Sequence, residues 1–281
     1  MTTRVAIPSK GRLRDAVLEL LRHAGYNLAA FRGANNASAL IEGIEFIEMR
    51  PRDAAAWLHA GRLDAAFIST DTALENDVHE WPHLDLGFSR SDLIVACRTD
   101  APFTCAADLA GHTVATHLPN WTRRWFDEQG IQVDVVAMGG SLEGICARGL
   151  ADAIVDLRET GNSLARNSLH AIEEAAHCQA RLSMSADDNP EVSLMLLRIE
   201  AARTADRRQY LMLHISPDKV SDLGTVFPGL ASPTLLPLAG RDDLVAVHMV
   251  VKRERLWARL QDLRDLGATG IVALPPDAIL E

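Results

Sequence analysis

Short apolar runs alternate along this chain with stretches whose apolar residues recur every three or four positions, the mark of strands and helices in turn. Residues 4–7 read as a buried strand, and Leu13, Val17, Leu20, Leu21 and Ala24 share one face of the helix that follows. Residues 44–49 alternate as a second strand and deliver Arg50-Pro-Arg-Asp53 to a helix start. Asp53 is the predicted N-cap of a helix over 54–60 that ends at Gly61. Residues 63–68 form the next predicted strand, leading through Ser69 and Thr70 to Asp71 and a helix around 72–76. Repeated strand–loop–helix units predict a parallel sheet whose ligands gather at the carboxyl ends of its strands.

A second lobe begins near residues 92–96. Strands are predicted at 113–116 and 133–137, with a helix over 122–129 between them. Gly139-Gly-Ser-Leu-Glu143 opens a further helix, closed by Gly149. Ala153, Ile154 and Val155 then read as a short buried strand with Asp156 at its end. Thr160-Gly161-Asn162-Ser163 makes a tight turn, and Leu164 starts a helix. Residues 180–185 are predicted to cross back to the first lobe as a strand, and a helix runs from Asp187 to about Arg208 with Val192, Leu196 and Ile199 on its apolar face. A lobe entered, left and re-entered predicts a two-lobed cleft like that of periplasmic-type binding proteins. The last seventy or so residues change character: strands at 210–215, 234–238, 244–251 and 270–274, with helices at 218–226 and 254–266. That order, βαββαβ, is the ferredoxin-like pattern, and Leu256, Leu260, Leu263 and Leu266 make its second helix one core-facing stripe. The expected α/β bodies are residues 1–90 re-entered by about 180–208, residues 91–179, and residues 209–281.

The net charge of −10 over 281 residues excludes a general nucleic-acid binder, because no basic surface is large enough to neutralise a phosphate backbone. Arginines cluster only locally, as Arg12/Arg14 and Arg123/Arg124, which suits a small anionic ligand. Cys97, Cys105, Cys146 and Cys178 show no CxxC spacing and read as reduced thiols, and no histidine pair has zinc-site spacing. With no signal-peptide pattern in residues 1–8 and no apolar run of membrane-spanning length, the expectation is a cytoplasmic protein without a membrane partner.

The candidate chemistry lies in residues 151–164. A strand, a small-residue turn and a helix start aim free backbone N–H groups at one point, where an anion is favoured. Asp152 and Asp156 beside that cradle suit a ligand carrying a phosphate and ribose hydroxyls; the plainer reading is an ordinary loop with Thr160 capping and Gly161 turning. Lys10 and Arg12 beside Gly11, between a strand and a helix, form a second candidate anion site, or simply solvated loop charges.

Several segments together resemble one family, the long, self-contained form of ATP phosphoribosyltransferase. Residues 6–13 resemble its opening strand and loop, Arg50-Pro-Arg-Asp53 its second loop, and residues 115–120 its turn ending in Pro-Asn. Gly140-Ser-Leu-Glu143 and Asp152-Ala-Ile-Val-Asp-Leu-Arg-Glu-Thr-Gly161 are similar to its most specific motifs, and residues 210–213, Ser232-Pro-Thr234 and Gly267-Ala268 to its regulatory domain. The resemblance implies attack by N1 of ATP on C1 of 5-phosphoribosyl 1-pyrophosphate, with Mg²⁺ assistance. Thr160, Gly161, Asn162 and Ser163 would hold the 5-phosphate, and Asp156 with Asp152 the ribose hydroxyls. Lys10, Arg12 and Arg50 would neutralise the pyrophosphate or triphosphate, Asp71 would lie on the nucleotide side, and Asp156 and Glu143 would face the metal. It also implies dimers assembling into hexamers.

The chain departs from the family pattern where glycines are replaced by Ala66 and Ser69, and a proline by Ala55. Two alternatives follow: a paralogue using another acceptor base, or a non-catalytic two-lobed sensor. In the C-terminal region His214 and Ser216 stand where relatives carry acidic residues. With Ser216, Ser232 and Thr234 as remaining effector contacts, histidine is expected to be a weak effector.

Overall fold

β1 (Thr3–Pro8) is a buried strand because Val5, Ala6 and Ile7 are all apolar and must be covered on both faces. The computed structural model containing it describes residues 2–31, 37–185, 188–228 and 233–280. Two compact units share the chain: Met1–Glu19 with Asn27–Ser193, and Leu20–Tyr26 with Leu194–Glu281. The first unit holds two sheets. Its opening elements are β1, α1 (Gly11–His23), β2 (Ser38–Ile41), β3 (Ile44–Met49), α2 (Pro51–His59), β4 (Ala65–Ser69), α3 (Thr70–Glu75) and β5 (His83–Asp85). The next are β6 (Ser91–Arg98), β7 (Thr113–Thr116), α4 (Pro119–Glu128), β8 (Asp134–Ala137), α5 (Leu142–Ala147), β9 (Ala153–Arg158), α6 (Asn162–Arg166) and β10 (Leu169–Cys178). β11 (Ala180–Met184) then returns to the first sheet, whose order is β2-β3-β1-β4-β11-β5; the second runs β10-β6-β9-β7-β8.

Both sheets are mixed rather than wholly parallel. β1 runs parallel to β3 and β4, as repeated βα units demand, but β2 joins β3 through the two-residue turn Glu42-Gly43, both at positive φ, as an antiparallel hairpin. β11 arrives from the other lobe without a helical crossover and therefore pairs antiparallel with β4. In the second sheet, Leu93, Val95 and Cys97 of β6 point into one core with Phe126 and Val114, while Ile94 and Ala96 point into another with Leu142 and Leu164. Apolar material on both faces is what makes this sheet a rigid platform.

Several boundaries differ from the sequence reading. α2 is capped by Arg50 in extended backbone, not by Asp53, because Pro51 presets the first helical φ; Asp53 lies in the first turn. α4 likewise begins at Pro119. β9 runs on to Arg158, so Asp156 sits within the strand opposite Ile94. β10 escaped notice because two bulges, at Ala171/Glu173 and Glu174/Ala176, break the alternation that would reveal it.

α7 (Pro190–Asp206) is capped by Asn189, whose Oδ1 accepts from the N–H groups of Glu191 and Val192; the expected start at Asp187 lies outside the described residues. The second unit then builds β12 (Arg208–Ile215), α8 (Leu223–Val226), β13 (Thr234–Leu238), β14 (Arg241–Lys252), α9 (Arg253–Ala258), α10 (Leu260–Asp265) and β15 (Thr269–Leu274). Its antiparallel sheet has the order β13-β14-β12-β15, the ferredoxin-like arrangement. Leu211, Leu213 and Ile215 pack with Val247 and Met249 against Leu223, Leu256 and Leu263. The expected single helix over 254–266 is two short ones, broken at Arg259.

Candidate active site

Asp156 stands one residue past the point where Val155 of β9 pairs with Thr116, the last residue of β7. Its side chain is 21% exposed, with Oδ1 accepting the Leu157 N–H at 2.8 Å and lying 3.5 Å from His117 Nδ1. Among the described residues Oδ2 has no protein partner. Burial pushes the Asp156 carboxyl above its ordinary value, and the carboxylates of Glu143 and Asp71 add to the rise, while the Leu157 N–H and His117 pull it back. His117 was not singled out by the sequence. Its place in the turn before Pro119-Asn120, within a quoted motif, was the available signal.

The helices after β9 and β8 both begin from left-handed backbone. Gly161 caps α6 at φ 77°, and Ser141 caps α5 at φ 59°, a conformation that costs a non-glycine residue about 1 kcal/mol or more. The Ser163 hydroxyl donates to Glu143, tying the first turns of α6 and α5 together. Thr160 does not cap α6, and the N–H groups of Gly161, Asn162 and Ser163 have no protein acceptor among the described residues. Glu143, Ser163, Asp156 and His117 are thus gathered at one end of the second sheet, with Asp71 of α3 close enough to act on Asp156.

Asp152 does not belong to this group. Its Oδ2 accepts the Thr113 N–H at 2.9 Å and lies 3.4 Å from His112, where β7 begins. Four residues of extended chain, about 13 Å, separate it from Asp156 and put it at the opposite end of the sheet. A ribose cannot span that gap, so the expectation for Asp152 is corrected to a strand-pinning role.

On the first lobe, Pro8 pairs with Met49 and Ser9 donates to the Met49 carbonyl, so the loop carrying Lys10 and the turn carrying Arg50 leave neighbouring strands side by side. Lys10 and Arg50 are exposed and form no ion pair among the described residues. Arg12 is engaged: its guanidinium pairs with Glu159 of the β9–α6 loop, which raises the Arg12 pKa. Asp71, in the first turn of α3, is 6% exposed, and its Oδ1 is buried with no hydrogen-bond partner. A second buried carboxylate, Glu75, went unnoticed in the sequence. It accepts the N–H groups of Asn120 (3.0 Å) and Trp121 (2.9 Å) at the start of α4.

The glycine replacements read differently in three dimensions. Ala66 is fully buried in β4 within the core that includes Ala54 and Leu58, so its Cβ faces packing rather than ligand. Ser69 sits in ordinary extended backbone, with its hydroxyl 3.0 Å from that of Thr72. Ala55 is buried in the same core as Ala66.

Of the expected effector residues, Ser216 and Thr234 are not brought together. Ser216 follows β12, where Ile215 pairs with Val245 and Val245 with Pro237, whereas Thr234 lies further along β13 opposite His248. The Ser216 hydroxyl donates to Asp218, and Ser232 lies outside the described residues.

A group of three or more His, Cys, Asp or Glu side chains arranged to hold a metal is absent among the described residues. Among them, no helix is long and apolar enough to cross a membrane. Mg²⁺ is commonly held by one or two carboxylates plus substrate phosphates, and the unpartnered Asp71 Oδ1 and Asp156 Oδ2 fit such a site.

The family model for ATP phosphoribosyltransferase matches residues 50–201, and that for the HisG C-terminal domain matches residues 205–276. The ATP phosphoribosyltransferase of Halorubrum lacusprofundi is 32% identical over 286 residues, covering 96% of this chain and 97% of the relative. That of Methanococcoides burtonii is 31% identical over 283 residues, covering 99% of both. Among solved structures, the ATP phosphoribosyl transferase (HisG:HisZ) complex from Thermotoga maritima superposes with a TM-score of 0.61 at 25% identity, over 70% of this chain and 96% of the matched chain. Matched along almost its whole length, and carrying the C-terminal domain as well as the two-lobed region, the chain belongs to the ATP phosphoribosyltransferase family in its long form.

Proposed function

We propose that this chain joins N1 of ATP to C1 of 5-phosphoribosyl 1-pyrophosphate, breaking the C1–oxygen bond to pyrophosphate, as the first step of histidine biosynthesis. The observation that carries the reading is Asp156: a largely buried carboxylate with one free oxygen, set beside a turn whose N–H groups lack acceptors. In this assignment Asp156 accepts the ribose hydroxyls, and Thr160, Gly161, Asn162 and Ser163 enclose the 5-phosphate. Lys10, Arg12 and Arg50 neutralise the pyrophosphate and triphosphate, with Asp71 on the nucleotide side. Glu143 orients Ser163 through the hydroxyl it accepts. Displacement at a sugar carbon with a good leaving group needs positioning and charge stabilisation more than a strong base, which suits a site without a nucleophile. Asp156 and Asp71 would hold Mg²⁺, which supplies neutralising charge to the departing pyrophosphate when bound; Glu143, expected on the metal side, has Oε1 engaged by the Ser163 hydroxyl, whereas Asp71 Oδ1 has no partner among the described residues.

Release of pyrophosphate by the purified chain with ATP, 5-phosphoribosyl 1-pyrophosphate and Mg²⁺ tests the proposal; no release refutes it. Replacing ATP by other purine and pyrimidine nucleotides in that assay examines a different acceptor, for which Ser69 is the one remaining argument, since Ala66 faces the core. The proposal extends to a cytoplasmic homo-oligomer of dimers forming hexamers, with histidine as a weak effector of the C-terminal domain. The strand end carries His214 and Ser216 where a carboxylate would meet the effector; the alternative is that Asp218, which accepts the Ser216 hydroxyl, takes over that role and restores tight binding.

A further inference from the structure

Glu75 is the last residue of α3 in the first lobe, and its carboxylate is 3% exposed. A buried carboxylate is costly unless donors surround it. Its donors come from the other lobe: Asn120 N–H at 3.0 Å and Trp121 N–H at 2.9 Å, the second and third residues of ten-residue α4. These are the N–H groups that a helix leaves unpaired, at the end its dipole makes positive. Arg52, half-exposed at 3.5 Å, is the sole cation within ion-pair range among the described residues. Arg124 of α4 reinforces the contact from its other end, pairing with Asp77 at 3.0 Å and donating to the Leu74 carbonyl.

Two functional side chains hang from this junction. Asp71, with its unpartnered Oδ1, lies one turn before Glu75 on the same helix. His117, 3.5 Å from Asp156, lies in the turn that α4 closes. That turn is stiff, because the Thr116 hydroxyl oxygen accepts from the Leu118 N–H at 3.0 Å and from the Thr122 hydroxyl at 3.3 Å. Fixing the start of α4 therefore fixes His117.

We infer that Glu75 is a positioning residue for the transferase reaction, clasping α3 to the N-terminus of α4 so that Asp71 and His117 are held on either side of Asp156. The clasp joins the two lobes at the point where the donor half and the nucleotide half of the site meet, and it acts through geometry without touching substrate. The inference rests on the proposed transferase reading. The charged groups facing Asp156 are His117 from the turn, Glu143 from α5 and Asp71 from α3. Of these His117 is placed 3.5 Å from Oδ1, so loosening the turn displaces a direct neighbour of the carboxylate.

The test compares Glu75→Gln, His117→Gln and the double variant with the unmodified enzyme, reading kcat and the KM for 5-phosphoribosyl 1-pyrophosphate from pyrophosphate release. The unmodified enzyme serves as control: if it releases no pyrophosphate, the transferase reading fails and not the clasp. Given activity, Glu75→Gln is expected to lower kcat by about a hundredfold. The KM for 5-phosphoribosyl 1-pyrophosphate should change by less than about threefold, because the clasp does not touch substrate. His117→Gln, which leaves the clasp intact, should lower kcat in the same way, and the double variant should lose no more than the worse of the two single ones. Additive losses in the double variant, or a Glu75→Gln loss that falls on KM rather than kcat, would make Glu75 merely structural and overturn the inference. Should Glu75→Gln not fold, Glu75→Asp, which keeps the charge but shortens its reach to α4, takes its place in the same cycle, and additive losses there overturn the inference equally.

Discussion

Replacing Asp156 by Asn separates what this residue does for substrate from what it costs the fold. The substitution keeps the shape, and an amide oxygen at the Oδ1 position still accepts the Leu157 N–H now met at 2.8 Å. What disappears is the charge at Oδ2, the oxygen left free for a sugar hydroxyl. A hydrogen bond to a charged group contributes about 1.5–3 kcal/mol, which converts to roughly a ten- to hundredfold loss of kcat/KM for 5-phosphoribosyl 1-pyrophosphate. Stability should move the opposite way. Burial raises the folded-state pKa of this carboxyl above its unfolded value, so its favourable contribution is complete below the unfolded pKa and is lost as pH rises through the folded one. Near neutrality the ionised carboxylate is therefore a burden, and Asp156→Asn should melt at a higher Tm than the unmodified protein, the gain vanishing towards acid pH. Pyrophosphate release at limiting donor and calorimetric melting at neutral and acid pH measure the two effects. Full activity would refute the site assignment, and a lowered Tm at neutral pH would refute the electrostatic reasoning.

Glu159 pairs with Arg12 at the position assigned to the anionic donor, so Glu159→Gln should free that guanidinium and lower the KM for 5-phosphoribosyl 1-pyrophosphate by about two- to fivefold, as for an exposed ion pair. Steady-state kinetics decides this, and a raised KM would mean that Glu159 aids binding rather than competing with it. Asp152→Asn should leave kcat and both KM values unchanged while destabilising the protein by about 1 kcal/mol through the weakened bond to the Thr113 N–H, as urea unfolding would show. A selective loss of donor affinity in that variant would restore Asp152 to the site.

The parts of the site that lie close together in sequence were visible before the structure. The strand, the turn at 160–163 and the acid of α5 announce themselves through small residues beside a carboxylate. Asp152 misled because it is near Asp156 in number, although extended backbone carries four residues about 13 Å. Glu75 and His117 gave no local sign, since a buried carboxylate and the helix end it caps are 45 residues apart and meet only through packing. The same reason hid the hold of Glu159 on Arg12. The C-terminal sheet was legible because leucines and valines alternate cleanly there, whereas the bulges of β10 erased its pattern.

The return of β11 to the first sheet also bears on how the chain is put together as modules. Ser91, where the second sheet begins, stands directly opposite Cys178, where it ends, and antiparallel partners lie about 5 Å apart at Cα. Residues 91–178 therefore enter and leave through one narrow gate, as an inserted cassette does. On either side of that gate β5 and β11 already pair, with Asp85 opposite Arg181, so a short bridge in place of the cassette would turn them into an ordinary hairpin. The division of labour follows the same seam: Asp156, His117, Glu143 and the 160–163 turn travel with the cassette, while Lys10, Arg50 and Asp71 stay with the host. Swapping cassettes between relatives should therefore exchange the sugar-phosphate half of the site without rebuilding the sheet that receives it.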